Sequence, residues 1–278
     1  MMLDLTEAEY DLFRNFLKKM AGVSLRPAKK HALGRKLAAR VKELDLPSYA
    51  AYFRYLKTQD KGSELNTLVS AVTIDQTFFF RGARQFSMFC NELLPQMIAQ
   101  KAASKKLRIW SAGCSRGQEP YTLALLVLEN SQALEGWDVK ILATDIDGES
   151  LKTAHRGRYG HEIHNKVPEP FITKYFLPDT EKDKEVFQIK DEVKNIITFR
   201  KHNLLKFPYP LKGPVDMIFC RNVMIYFSMP DKKSVLDQFY KLLADGGYLF
   251  LGDSESLLGL DDRFTLIRHA VYQKRPRQ

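Results

Sequence analysis

The chain has 278 residues, of which 45% are hydrophobic and 27% charged, and its 43 Lys and Arg outnumber 33 Asp and Glu for a net charge of +10 and a pI near 9.3. That length can bury a sizeable core in one large domain or two unequal ones, and the basic balance asks for an acidic partner: nucleic acid, an anionic membrane surface or a protein. Cys90, Cys114 and Cys220 form no Cys-x-x-Cys pair and the histidines no ligand spacing, which excludes a disulfide framework or a metal site; the acidic start and short apolar runs exclude a signal peptide or a span of about 20 apolar residues, so a soluble, cytoplasmic protein is expected.

Residues 1–72 read as an all-helical domain. Thr6 and Glu9 make a capping box ahead of Tyr10, Phe13, Phe16 and Leu17, spaced for one helix face, and Gly22 ends that helix. A second helix is predicted from Pro27 to Leu44, with Leu33, Leu37, Val41 and Leu44 as its apolar stripe. Arg26, Lys29, Lys30, Arg35, Lys36, Arg40 and Lys42 face a single acid there, Glu43, so the stretch lacks the i,i+4 acids of an ordinary exposed helix. Two readings stay open: a solvated face, or a platform for an acidic substrate using Lys29, Lys36 and Arg40. Helices over Ser48–Lys57 and Ser63–Val72 follow. Residues 73–90 are a linker in which Phe78, Phe79 and Phe80 are bracketed by Asp75, Thr77 and Arg81, and a helix is predicted from Phe86 to Ala103.

Residues 91–278 then alternate strand and helix. Leu107–Ala112 reads as a strand, Gly113 and Gly117 as a turn, and Leu123–Leu128 as the apolar face of a helix. Such a turn lets backbone approach a ligand, and Glu119 in the first helical turn suits the helix dipole and a ligand's ammonium. Val139–Ala143 is a second strand with Asp145 at its carboxyl tip, where one carboxylate can accept from both hydroxyls of a ribose; Asp147 suits the cap of the next helix. From 156 to 202 the alternation breaks, and Val186–Ile189 with Ile196–Phe199 read as an antiparallel hairpin in a small inserted β element. Val215–Cys220 is a buried strand ending at Arg221 and Asn222. A helix from Pro230 to Leu243, a stop at Asp245-Gly-Gly, a strand Tyr248–Gly252 and a hairpin-like edge over Phe264–Gln273 complete the chain.

A glycine turn after the first strand and an acid after the second describe a doubly wound sheet that binds an adenosine-containing ligand. The Gly-x-Gly-x-x-Gly dinucleotide pattern is not met, and no Gly-Lys-Ser/Thr follows for phosphate binding. S-adenosylmethionine has no phosphate, and its cationic groups suit Glu119.

Thr73–Arg81, Trp110-Ser-Ala-Gly-Cys-Ser-Arg-Gly-Gln-Glu-Pro-Tyr121, Ala143-Thr-Asp-Ile-Asp147, Phe219-Cys-Arg-Asn-Val-Met-Ile-Tyr-Phe227 and Gly246-Gly-Tyr-Leu-Phe-Leu-Gly252 resemble the chemotaxis receptor protein-glutamate O-methyltransferases, the CheR family. The resemblance implies a Rossmann-like S-adenosylmethionine-dependent methyltransferase fold of class α/β, with an N-terminal all-helical domain and a small antiparallel β-subdomain inserted at about 156–202. It implies cofactor contacts from Asp75, Thr77, Arg81, Gly113, Glu119, Asp145, Asn203, Leu204, Arg221 and Asn222, with Arg81 and Tyr226 beside the transferred methyl. The implied substrates are glutamates on the acidic cytoplasmic helices of methyl-accepting chemotaxis receptors, and in some members the β-subdomain docks a receptor's C-terminal peptide. Nucleic acid and membrane insertion are not expected. Asp75 stands where the family usually has asparagine and Asp253 where it usually has histidine. Two alternatives are a nucleic-acid methyltransferase, against which Cys220-Arg-Asn-Val-Met replaces the expected Asn/Asp-Pro-Pro-Tyr/Phe, and a non-catalytic regulator that binds S-adenosylmethionine.

Overall fold

The computed structural model describes residues 4–25, 27–58, 63–73, 77–181, 184–211 and 213–275. The helical domain contains α1 (Glu7–Ala21), α2 (Lys30–Glu43), α3 (Tyr49–Thr58) and α4 (Ser63–Thr73). Thr6 caps α1 with the reciprocal Glu9 bond, and Gly22, at φ 74°, closes it in the left-handed conformation. Tyr10, Phe13, Leu17, Leu33, Leu37, Val41 and Tyr52 form one core, on which Ile146 and Tyr226 of the following domain also pack. The apolar faces therefore do two jobs: they hold the four helices together and hold them onto the rest of the protein.

The helix expected over Phe86–Ala103 is broken into α5 (Ala83–Met88), a π-turn at Phe89–Leu93 and α6 (Leu94–Gln100). Pro95 accounts for the break, because it has no N–H to return to the preceding turn. Then come β1 (Lys106–Ala112), α7 (Gln118–Glu129), β2 (Asp138–Asp145), α8 (Gly148–Arg156), β3 (Arg158–Gly160), α9 (Glu169–Tyr175), β4 (Phe176–Glu181), β5 (Lys184–Ile189), α10 (Asp191–Lys194) and β6 (Ile197–Lys201). The chain finishes with β7 (Val215–Cys220), α11 (Met229–Leu242), β8 (Leu243–Leu251), β9 (Phe264–Arg268) and β10 (Val271–Lys274). The main sheet has the order β6-β2-β1-β7-β8-β10-β9, parallel from β6 to β8 and antiparallel at the β10-β9 edge. Its order reverses at β1, so the loops after β1 and β7 part and leave a crevice at the carboxyl ends of the strands.

Two expectations are corrected. Val186–Ile189 and Ile196–Phe199 are not partners: β5 lies between β3 and β4 in a separate antiparallel sheet, while β6 pairs in parallel with β2. Both stretches alternate in polarity, and alternation reports a half-buried strand without saying which strand it will meet. The last parallel strand also starts earlier than expected, at Leu243, with Gly246 at φ 74° inside it beside a register shift against β7.

Candidate functional site

The crevice is built on the β1–α7 loop. Gly113 (φ 93°) and Cys114 both donate their N–H to the Thr144 carbonyl, at 2.7 and 2.9 Å, which ties this loop to β2. A Cβ at Gly113 would stand 2.3 Å from Val223 Cγ2, so only glycine lets the β1 and β7 loops approach this closely. Gly117 (φ 92°) starts α7 and places Glu119 in its first turn. The Glu119 carboxylate accepts from Ser111 Oγ at 2.7 Å and meets Arg221 Nη1 at 3.2 Å. Burial pushes its pKa up and the Arg221 guanidinium opposes the rise.

Asp145 closes the second strand. Its Oδ2 accepts the Ser115 N–H at 2.7 Å and its Oδ1 the Asp147 N–H at 2.9 Å. The Ile146 amide also points at this carboxylate, which has roughly four acceptor sites, so the amides leave part of its capacity unused. Burial pushes its pKa up to about 6 against the pull of those amides. Asp147 is spent otherwise: it caps α8 through the Glu149 N–H at 2.9 Å and accepts from Ser150 Oγ and from Ser70 Oγ on α4. Asp147 is thus the N-cap of α8, the job read for it from the sequence.

Thr77, Arg81, Gly113, Glu119, Asp145, Asn203, Leu204, Arg221, Asn222 and Tyr226 all line this one crevice. Arg221 is buried, with Nη2 donating to the Arg81 carbonyl and its cation 5.2 Å from the Phe86 ring, while its Nε has no protein partner. Asp75 lies outside the described residues. The crevice also takes Ala21 and Val23 from the end of α1, together with Phe78, Ser115 and His202, which sequence reasoning missed. Nothing local marks Ala21 or Val23; they reach the site because the Ser24 N–H donates to the Tyr226 carbonyl at 2.9 Å. Glu255, behind the crevice wall in Gly252-Asp-Ser-Glu-Ser256, was also missed. Asp253 in the same turn is exposed.

Two of the three proposed platform residues, Lys36 and Arg40, have partners inside the helical domain. Arg40 holds Glu64 with a two-pronged contact, Nε to Oε1 at 2.7 Å and Nη2 to Oε2 at 2.6 Å, and meets Glu43 at 2.6 Å. Lys36 donates to the Ala71 carbonyl, and Lys30 pairs with Glu7 at 2.6 Å. The acids that balance this helix come from α1 and α4 as well as α2 itself, beyond the reach of an i,i+4 test. Lys29 is exposed.

The crevice is thus lined by the carboxylates of Glu119 and Asp145, held partly open, by Gly113 and by apolar and aromatic walls. That set of groups fits a ligand with hydroxyls and a cation, such as S-adenosylmethionine. Residues 75–273 match the CheR methyltransferase SAM-binding domain, and residues 8–73 match the CheR methyltransferase all-alpha domain. The chain belongs to the CheR methyltransferase family. Among relatives, the chemotaxis protein methyltransferase of Vibrio anguillarum is 37% identical over 268 residues, covering 96% of this chain and 95% of that protein. Chemotaxis protein methyltransferase 1 of Vibrio cholerae is 36% identical over 268 residues, 96% of this chain and 95% of its own. The Escherichia coli K12 chemotaxis protein methyltransferase is 32% identical over 272 residues, 97% and 92%. This CheR chain is therefore an S-adenosylmethionine-dependent methyltransferase of the chemotaxis class, built as an α/β sheet with an N-terminal helical domain. Among the described residues no helix is long and apolar enough to cross a membrane.

Proposed function

We propose that this chain esterifies glutamate side chains on the cytoplasmic helices of chemotaxis receptors, working in the cytoplasm. The observation that carries this reading is the meeting, in one crevice, of the acids Glu119 and Asp145 with Arg81 and Tyr226. The acids suit the cationic and ribose ends of a methyl donor, and Arg81 and Tyr226 suit an incoming carboxylate.

In this reading Asp145 accepts from the ribose hydroxyls, Glu119 faces the ammonium, and Asn203 and Leu204 flank the base. Thr77, Gly113, Arg221 and Asn222 complete the cofactor wall. S-adenosylmethionine, when bound, supplies an electrophilic methyl on a sulfonium. A substrate glutamate with a pKa near about 4.3 is already ionised at neutral pH, so the chain has no proton to remove. Its task is alignment, which is worth roughly 7–11 kcal/mol when two reactants are held in line. Arg81 and Tyr226 orient the carboxylate, and they must do so without holding the charged ground state more tightly than the transition state. The small sheet leaves β4 at an edge, with Leu177 half exposed, the geometry in which an extended receptor C-terminal peptide can add as a strand.

The test is transfer of labelled methyl from S-adenosylmethionine to a receptor cytoplasmic fragment, followed by mild base. A methyl ester releases methanol, and replacing the acceptor glutamates by alanine removes the label. Base-stable label, or label found on nucleic acid, overturns the reading. Cofactor binding with no transfer would make the chain a regulator.

A further inference from the structure

Glu255 lies just beyond β8, only 8% exposed, in a part of the molecule assigned no role so far. Its carboxylate gathers backbone amides: Oε2 accepts the N–H of Gly252 at 2.7 Å and of Asn222 at 2.8 Å, and Oε1 accepts the N–H of Ile225 at 3.1 Å. The Met224 amide also points at it. Burial disfavours its charged form and these amides oppose that effect, so the carboxylate and the loop hold each other in place.

Three of the four donors come from the turn that carries Asn222 and Tyr226. Asn222 adopts φ 60°, in the left-handed region that asparagine tolerates better than other side-chain-bearing residues. Gly252 supplies the other half of the cradle, since a Cβ there would stand 2.6 Å from Asn222 Nδ2 and 2.9 Å from its backbone nitrogen. Arg221 at the start of the turn has separate anchors in Glu119 and the Arg81 carbonyl. Beyond Arg221, Glu255 and the Ser24 N–H on the Tyr226 carbonyl are among the anchors of the turn outside itself.

We propose that Glu255 is a positioning residue for methyl transfer: its buried carboxylate fixes the Asn222–Tyr226 turn, and through it the Tyr226 side chain, at the substrate side of the crevice. This rests on the reading in which Tyr226 faces the acceptor carboxylate. It implies a split in the kinetics. Loosening the turn misplaces Tyr226 and, with it, Asn222, while the cofactor keeps Glu119, Asp145 and the separately anchored Arg221, so turnover should fall further than cofactor affinity.

The experiment compares the native enzyme with Glu255→Gln, which keeps the shape of the side chain but turns one acceptor into a donor facing amide N–H groups. With a misplacement of about 1 Å able to cost about 100-fold in rate, kcat toward receptor fragment is expected to fall about 10- to 100-fold. The Kd for S-adenosylhomocysteine, measured by calorimetry on the same samples, is expected to stay within about threefold. Gly252→Ala leaves the carboxylate in place and presses on Asn222 instead; some loss of cofactor affinity is then expected through Asn222, with a larger loss in kcat, and that difference decides the matter if Glu255→Gln does not fold. A kcat close to native in the folded variant overturns the proposal. So does an equal loss in kcat and cofactor affinity, which would make Glu255 a general support. A native enzyme that methylates no receptor fragment instead removes the underlying reading.

Discussion

The helical domain and the cofactor crevice each bury carboxylates, and they treat them in opposite ways. Glu64 is closed off: Arg40 engages both of its oxygens and Tyr52 donates its hydroxyl at 2.6 Å. Asp145 and Glu119 are left partly open, with amides, a serine and one guanidinium taking some of their acceptor sites and the crevice facing the rest. Burial raises the pKa of both crevice acids. An ion pair whose members satisfy each other is structure. A buried acid whose partners stop short of satisfying it is held for a ligand.

The largest effect that can break this contrast is Arg40→Ala. It takes from Glu64 the guanidinium that engages both of its oxygens, and removing the partner of a buried charge typically costs about 3–5 kcal/mol of stability. The lower end is expected because Tyr52 remains. Denaturant unfolding should show the loss, while the Kd for S-adenosylhomocysteine should not move. A stable variant with weakened receptor methylation would instead return Arg40 to the substrate platform.

Next comes Asp145→Ala, which is expected to weaken cofactor binding by about 1.5–3 kcal/mol, the worth of hydrogen bonds to a charged group, with little change in unfolding. Its pH dependence sharpens the point. The folded carboxyl titrates near about 6, above the ordinary value of about 3.9, so the folded state holds the proton more tightly than the unfolded one. Asp145's contribution to stability is therefore fullest below about pH 4 and lost as pH rises through about 6. Cofactor affinity should slope the other way, falling as pH drops through about 6, because the charged form is the acceptor. Asp145→Asn should remove most of that slope. Affinity that is flat from about pH 5 to about pH 8 would deny the ribose role.

Tyr226→Phe probes the other wall of the crevice. Turnover should fall more than cofactor affinity, since the hydroxyl is assigned to the acceptor carboxylate; equal losses would make Tyr226 a cofactor residue. The smallest effect belongs to Lys29→Glu. With Lys36 and Arg40 partnered inside the domain, an exposed lysine contributes about 0.2–1 kcal/mol to an acidic surface. It should raise the apparent KM for receptor modestly at low salt and lose the effect once screening shortens the reach of charge. No change at low ionic strength would leave α2 as a solvated face.

The sequence by itself determined the elements that depend on neighbours along the chain. The Thr6–Glu9 box, the Gly22 stop, the Gly113–Gly117 turn, Glu119 in the first turn of its helix and Asp145 at its strand tip are all short-range facts. Capping, left-handed φ and strand alternation act within a few residues, so their signatures are local. The order of those motifs was enough to carry the resemblance to the CheR family. Tertiary structure alone decided the rest. Arg40 meets Glu64 across two helices, β6 leaves its apparent hairpin for the edge of β2, Ala21 and Val23 enter the crevice from the other domain, and Glu255 reaches back to the turn after β7. Each depends on which surfaces pack together once the cores are buried, and alternation or charge counts along one segment do not encode its distant partner.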